Sequence, residues 1–292
     1  MKILTVMDKD SERIKGLKIR RMNREEAEFA IDMAAAEGWN PGIHDGELFY
    51  EADPEGFFIA ELEGEPAGCA SAVAYNNNFG FLGLFVVKPE FRRKNIGMKL
   101  TEKCLEHLGN RNIGLDGVVE NEKKYQQVMK FKSSYSNLRF EGRGGGEIPD
   151  GLVEISGVPF EKLIEYDRRM FPAPRPGFLR KWISQPDSYA FASFEAGGLK
   201  GYGVIRKCRT GYKIGPLFAD DQIAAEKIFR ALRASVPEET FFFDVPEPNK
   251  EAMEIAEKYQ MSVMFRTIRM YSREEPDIEL DKVYGVTSFE LG

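Results

Sequence analysis

The sequence predicts a mixed α/β (α+β) protein in which one plan is used twice, and three observations predict it. β-patterned runs and amphipathic helical runs alternate along most of the 292 residues. The order hairpin, strand, helix, strand, helix, strand occurs on each side of a glycine-rich stretch at 142–146 (GRGGG). Glycines also recur in step, Gly68 with Gly201 and Gly83 with Gly215, about 132 positions apart, as in an internal repeat.

The elements follow in order. Residues 17–22 (LKIRRM) read as a strand, and Asn23 is placed to cap the helical pattern that follows. A loop at 39–46 is dense in turn formers yet holds Trp39, His44 and Asp45, more chemistry than a connection needs. A hairpin turns at Glu63-Gly64, and 79–87 (FGFLGLFVV) reads as a buried strand. A basic loop with Arg92, Arg93 and Lys94 then leads into a helix running to His107. Strand, basic loop and helix start together form an anion site, because first-turn amides lack partners and the helix dipole adds positive charge. A strand at 113–118, a helix at 122–132 and a strand at 135–141 close the first copy. In the second copy helices at 159–170 and 177–184 precede a hairpin, then strands at 212–219, 240–245 and 261–271 alternate with helices at 222–234 and 249–259. There, Asp220-Asp221 stand where the first copy has its basic loop, and carboxylates would repel a pyrophosphate. One phosphate-binding site per chain is therefore expected. The domains read as a 1–16 extension, 17–145 and 146–292.

Hydrophobic residues make up 42% and charged residues 30%, a globular balance. A net charge of −6 without a basic block argues against a nucleic-acid partner. No apolar run approaches the ~18–20 residues of a membrane span, and the opening MKILTVMDKD does not read as a signal peptide. Three scattered cysteines and two histidines suit neither a disulfide frame nor a metal site. A cytoplasmic protein without a membrane partner is expected.

The stretch Arg92-Arg93-Lys94-Asn95-Ile96-Gly97 resembles the signature loop of the GNAT N-acyltransferase superfamily, Arg/Gln-x-x-Gly-x-Gly/Ala, with Asn95 at the first glycine. The wider chain is similar to a subfamily that carries a GNAT domain and a GNAT-like C-terminal domain. The similarity rests on residues 38–45, Leu115-Asp116-Gly117-Val118, Asp167-Arg168 with 171–173, residues 211–220, 244–249, Arg269-Met270-Tyr271 and 283–292. The resemblance implies tandem GNAT-like mixed sheets flanked by helices and an acetyl-CoA or other acyl-CoA co-substrate. It also implies direct acyl transfer to a small amine or amino-acid-like acceptor. The arm of the cofactor would pair with Phe85, Val86 and Val87. Its phosphates would meet Arg92, Arg93, Lys94, Asn95, Ile96, Gly97 and Met98, with Asn121 nearby.

Tyr125 is the expected proton donor to the leaving thiolate, since a phenol near pKa 10 stays protonated at neutral pH, with Tyr135 as a substitute. His44, Asp45, Asp116 and Glu120 are the candidate bases. Trp39, Asn40, His44, Asp45, Tyr212, Lys213 and Asp244 are expected around the acceptor, although Asp116 suits a structural carboxylate equally and Trp39 a hydrophobic anchor. A helix after Tyr125 that lacks the subfamily's Ser-Gly pair, together with Asn95, leaves a second expectation open: a catalytically silent acyl-CoA-binding or sensor protein.

Overall fold

The computed structural model describes residues 14–292, so most of the expected 1–16 extension lies outside the described residues. The first half runs β1 (Leu17–Arg21), α1 (Ala27–Ala36), α2 (Asp45–Ala52), β2 (Phe57–Leu62), β3 (Glu65–Ala74), β4 (Phe79–Val87), α3 (Ile96–Leu108), β5 (Asn112–Val118), α4 (Glu122–Val128) and β6 (Lys132–Arg143). The second half runs β7 (Leu152–Glu154), α5 (Phe160–Met170), α6 (Pro176–Trp182), β8 (Ser188–Glu195), β9 (Gly198–Lys207), β10 (Tyr212–Ala219), α7 (Gln222–Ala234), β11 (Thr240–Pro246), α8 (Lys250–Lys258), β12 (Ser262–Tyr271) and β13 (Val283–Gly285).

Local chemistry explains most boundaries. Asn23 and Glu26 exchange side-chain and backbone hydrogen bonds of 2.9 Å each, the reciprocal turn that leads into α1. Asp221 caps α7 by accepting from the Ala224 amide, and Asn249 caps α8 by accepting from the Ala252 amide. Asp221, which stands where the first copy has basic residues, is thus a helix cap. Several elements depart from the sequence reading, among them β7, which it did not place. The stretch read as a loop at 39–46 ends inside α2, because a short helix carrying Gly46 shows little periodicity. The helix after Glu122 stops at Val128, and β6 begins at Lys132. β13 is too short to declare itself by pattern.

Among the described residues all thirteen strands join one sheet in the order β1-β2-β3-β4-β5-β12-β6-β11-β10-β9-β8-β7, with β13 beside β10. The halves exchange strands. β12, from the second half of the sequence, lies antiparallel between β5 and β6, while β6, from the first, lies antiparallel to β11. One sheet face carries a core shared by both halves, in which α1 and α2 meet α5 and α6 and Phe49 stacks on Trp182 at 5.9 Å. On the other face α3 covers the first half, and α7 with α8 covers the second. Side chains alternate between these faces along each strand: Phe57 and Ile59 face the shared core, Phe58 and Ala60 the α3 side.

The gap of the first half is open, whereas that of the second is filled. β4 and β5 pair in parallel only from Phe79–Asn112 to Leu82–Leu115. β10 and β11 likewise pair only from Tyr212–Phe241 to Ile214–Phe243. Beyond Ile214, β13 lies against β10, and the Val286 amide donates to the Asp244 carbonyl. The strand thus occupies the place a ligand would need.

Because each half lends a strand to the other, residues 14–145 expressed alone should show no cooperative thermal transition by circular dichroism. Co-expression with residues 146–292 should restore one melt and a single co-eluting species on size exclusion.

Candidate active site

β4 and β5 separate after Leu82 and Leu115. β5 continues beside β12, where Asp116 faces Arg269 and Val118 faces Thr267. β4 continues beside β3, where Val86 faces Cys69 and Val87 faces Gly68. Where they part, Leu84 takes a left-handed φ of +46° and the β3 register shifts, forming a bulge. Gly83, just before it, is in close contact with the segment after β13. A Cβ there would lie 1.9 Å from the Glu290 carbonyl oxygen.

After β4 the chain turns through the basic loop into α3. Arg93 and Asn95 both have left-handed φ values, +64° and +59°. Asn95 therefore adopts the conformation for which the family signature uses glycine. Its side chain makes no capping bond, so the first-turn amides of α3 stay open to an anion. The Arg92 Nε donates to the Val87 carbonyl at 2.9 Å and its guanidinium pairs with Glu37, which ties the loop to α1. Arg93, Lys94 and Asn95 are exposed.

One cavity joins the start of α3 to the opening between the strands. Gly97, Met98, Asn121 and Tyr125 line it toward the loop, Leu82 to Phe85 and Leu115 form its wall, and Trp39, Asp116, Phe265, Thr267, Phe289 and Glu290 line the remainder. Tyr125 lies over Gly117 so closely that a Cβ there would come within 2.6 Å of its ring. Burial raises the Tyr125 phenol, which keeps its proton in place. Of the expected residues, Trp39, Phe85, Gly97, Met98, Asp116, Asn121 and Tyr125 line the cavity. Val86, Val87 and residues 92–96 flank it on the strand and loop.

The other expected residues lie outside its lining. His44 begins α2 and sits 3.1 Å from Asp187, half-exposed. Asn40 bonds in both directions to the Thr210 backbone. Asp45 forms a fully buried, two-toothed pair with Arg206 at 2.8 and 3.0 Å. Asp244 pairs in the same way with Arg139, both bonds 2.7 Å. Tyr212 lies beside Lys207, and the buried Lys213 reaches the Trp39 carbonyl at 3.5 Å. The loop at 39–46 therefore serves as a clasp between the halves, with Trp39 its one side chain turned to the cavity. Asp116 is held by Arg269 at 2.7 and 2.9 Å and by Asn137 at 2.8 Å, so its oxygens are already engaged.

Burial alone would raise the Asp45 carboxyl, but the Arg206 guanidinium overrides it and holds the group below the ordinary carboxylate range. The same balance, with Arg139, holds Asp244 down. For Asp116 burial prevails over Arg269 and raises the carboxyl. Sequence reasoning misses Glu290, Thr267, Phe265 and Phe289, which come from β12 and the segment after β13. Their only signal is that Glu290 and Phe289 lie within the family-like stretch 283–292.

Splayed parallel strands, an uncapped helix start behind a basic loop, and a cavity joining them to a partly buried phenol define an acyl-CoA-using acyltransferase fold. Family models described as "Acetyltransferase (GNAT) family" and "Acetyltransferase (GNAT) domain" match residues 22–127 and 163–285. The chain is 31% identical to holothin acyltransferase of Pseudoalteromonas sp. (strain SANK 73390) over 92% of each protein. It therefore belongs to the GNAT acyltransferase family, whose members use acyl-CoA as co-substrate, and is an acyltransferase with two GNAT domains in tandem. The fold is similar to that of a Pyrococcus horikoshii protein provisionally assigned as an acetyltransferase, with a TM-score of 0.83, 24% identity and 97% and 98% of the two chains covered. A tandem GNAT protein from the clavulanic acid biosynthesis pathway shares the fold at a TM-score of 0.63, with 13% identity and 89% and 99% covered. Among the described residues no helix is long and apolar enough to cross a membrane, and no cluster of metal-binding side chains occurs.

Replacing Asp45 with Asn strands the Arg206 charge in the interior and should cost about 3–5 kcal/mol in urea unfolding, as removal of one partner of a buried pair does. The Asp45 and Asp244 carboxyls have folded values below the ~3.9 of an unfolded Asp. Their stabilisation is thus complete above that value and is lost as pH falls through the folded values. Wild-type stability should fall on acidification below about pH 4, and Asp45→Asn should flatten that fall.

Proposed function

We propose that the chain transfers an acetyl group from acetyl-CoA to the nitrogen of a small amine acceptor. One observation carries this reading: a single cavity runs from the open helix start of α3, along the freed edge of β4, to Tyr125. When bound, acetyl-CoA supplies a thioester carbon that a nitrogen attacks directly. In this reading the amides of residues 93–98 hold the pyrophosphate, with Arg93 and Lys94 adding charge. Phe85, Val86 and Val87 hold the arm by main-chain pairing, and an amide of Phe85 or Val86 faces the developing oxyanion. Tyr125 protonates the departing sulfur. Its partly buried surroundings support that role, because desolvation holds the proton on the phenol until a stronger base forms beside it.

The similarity to holothin acyltransferase supports acyl transfer as the reaction. The aromatic lining by Trp39, Phe265 and Phe289 supports a small acceptor. The left-handed Asn95 supports an active loop rather than a silent one, since the backbone there already has the geometry the motif needs.

Two substitutions test this reading. Asn95→Val places a β-branched residue at positive φ and should weaken acetyl-CoA binding by calorimetry at least tenfold, whereas Asn95→Gly should leave it intact. Tyr125→Phe should leave that affinity within twofold while CoA-thiol release with an amine falls by about 10²-fold or more. Absence of acetyl-CoA binding by the wild-type chain would overturn the proposal.

A further inference from the structure

We propose that Glu290 receives the acceptor as a primary ammonium and takes its proton, so that the substrate class is a protonated amine with an apolar or aromatic body. The inference rests on the acetyl-CoA reading above and names the acceptor side of the same site. Glu290 is 3% exposed, lines the cavity, and its Oε2 has no hydrogen-bond partner. Its backbone presses on Gly83, one residue before the bulge where β4 leaves β5. The carboxylate is thus anchored beside the point where the thioester would lie.

Three of the four buried carboxylates here have an arginine in direct contact, and Glu290 does not. Asp116 has Arg269, Asp244 has Arg139 and Asp45 has Arg206. Arg139 on β6, Arg206 on β9 and Lys213 on β10 feel the Glu290 charge, and Lys124 of α4 lines the same cavity from the side of Tyr125. Both arginines are committed to other carboxylates, and the buried Lys213 makes its hydrogen bond to the Trp39 carbonyl rather than to Glu290. A buried carboxylate oxygen without a hydrogen-bond or ion-pair contact is costly, and an ammonium guest supplies both. Thr267 Oγ1, a second buried oxygen without a partner, lines the same cavity and can accept another N–H. Trp39, Phe265 and Phe289 line the rest of the cavity and give the body of the guest an apolar surface. The earlier candidates for the base serve less well: His44 is outside the lining and both Asp116 oxygens are occupied.

The protons balance. One ammonium N–H breaks and its proton passes to Glu290 Oε2. The freed lone pair forms the C–N bond to the acyl carbon, and the C–S bond breaks with Tyr125 O–H protonating sulfur. The nitrogen's second proton restores Tyr125 through the site, Glu290 releases its own to solvent, and the amide keeps the third.

The test titrates the chain, saturated with CoA, with benzylamine, tyramine and tryptamine by calorimetry at pH 7, and follows thiol release with acetyl-CoA. The proposal expects at least one amine to bind. Glu290→Gln should weaken it at least tenfold while acetyl-CoA affinity stays within twofold, which also reports that the variant folds. Thiol release should fall about 10²-fold or more, and its rate should climb with pH toward the amine's own pKa near 10. Thr267→Val should weaken amine binding several-fold without altering the pH profile. If acetyl-CoA binds but none of the three amines does, or if Glu290→Gln leaves amine affinity and the pH profile unchanged, the assignment to Glu290 is wrong and the acetyl-CoA reading stands. Failure of acetyl-CoA itself to bind removes both.

Discussion

Backbone pairing between β12 and β6 is the interaction on which the rest of the structure depends. Each of these strands comes from one half of the sequence and serves the sheet of the other. β12 closes the open side of β5, so the gap between β4 and β5 is bounded by a strand that the first half does not encode. Thr267 and Phe265 reach the cavity on that strand. The site is therefore a product of the exchange, and neither half contains it whole.

The same dependence explains why two copies of one plan end with one open gap. In the second copy β13 pairs with β10 where the strands part, and Asp221 is used to cap the following helix. The chain emerging from β13 continues across the seam to Gly83 and places Phe289 and Glu290 in the open gap of the first copy. A segment that fills one gap thus furnishes the other. The second half thus contributes a wall of the cavity in the first, and the close approach at Gly83 fixes where that wall stands.

Much of this was legible in the sequence because it is local. The order of elements, the repeat, the basic loop before α3 and Tyr125 on α4 all follow from patterns within a few residues of one another. Trp39 in a loop of turn formers also signalled the cavity it lines. What stayed hidden is long-range. A strand's partner is not written in its own alternation, so β6 and β12 read as the last strands of their own halves. Asn40, Asp45 and Asp244 carry chemistry that suits a substrate site, and only their arginine or backbone partners, distant in sequence, show them to be clasps. Glu290 is one of 47 acidic residues, and nothing beside it in sequence shows that its oxygen would end without a donor.

The buried charges have a role that follows from their positions in the ladders. Asp116 lies directly opposite Arg269 between β5 and β12, and Asp244 directly opposite Arg139 between β11 and β6. Each pair joins residues from different halves, and each sits at one of the exchanged strands. Hydrophobic alternation alone distinguishes registers that differ by one residue but not by two, because a two-residue slip restores every side chain to its face. Such a slip would leave a guanidinium and a carboxylate buried apart, at a cost of about 3–5 kcal/mol for each broken pair. A correctly formed pair adds little net stability once desolvation is counted. Its effect is to penalise the alternatives. The register of β12 against β5 sets where Thr267 stands relative to Asp116 along the cavity, and with it the distance from these side chains to the mouth of the β4–β5 gap. Exchange without these pairs would still produce a sheet, but one in which the residues lining the pocket could stand in more than one alignment.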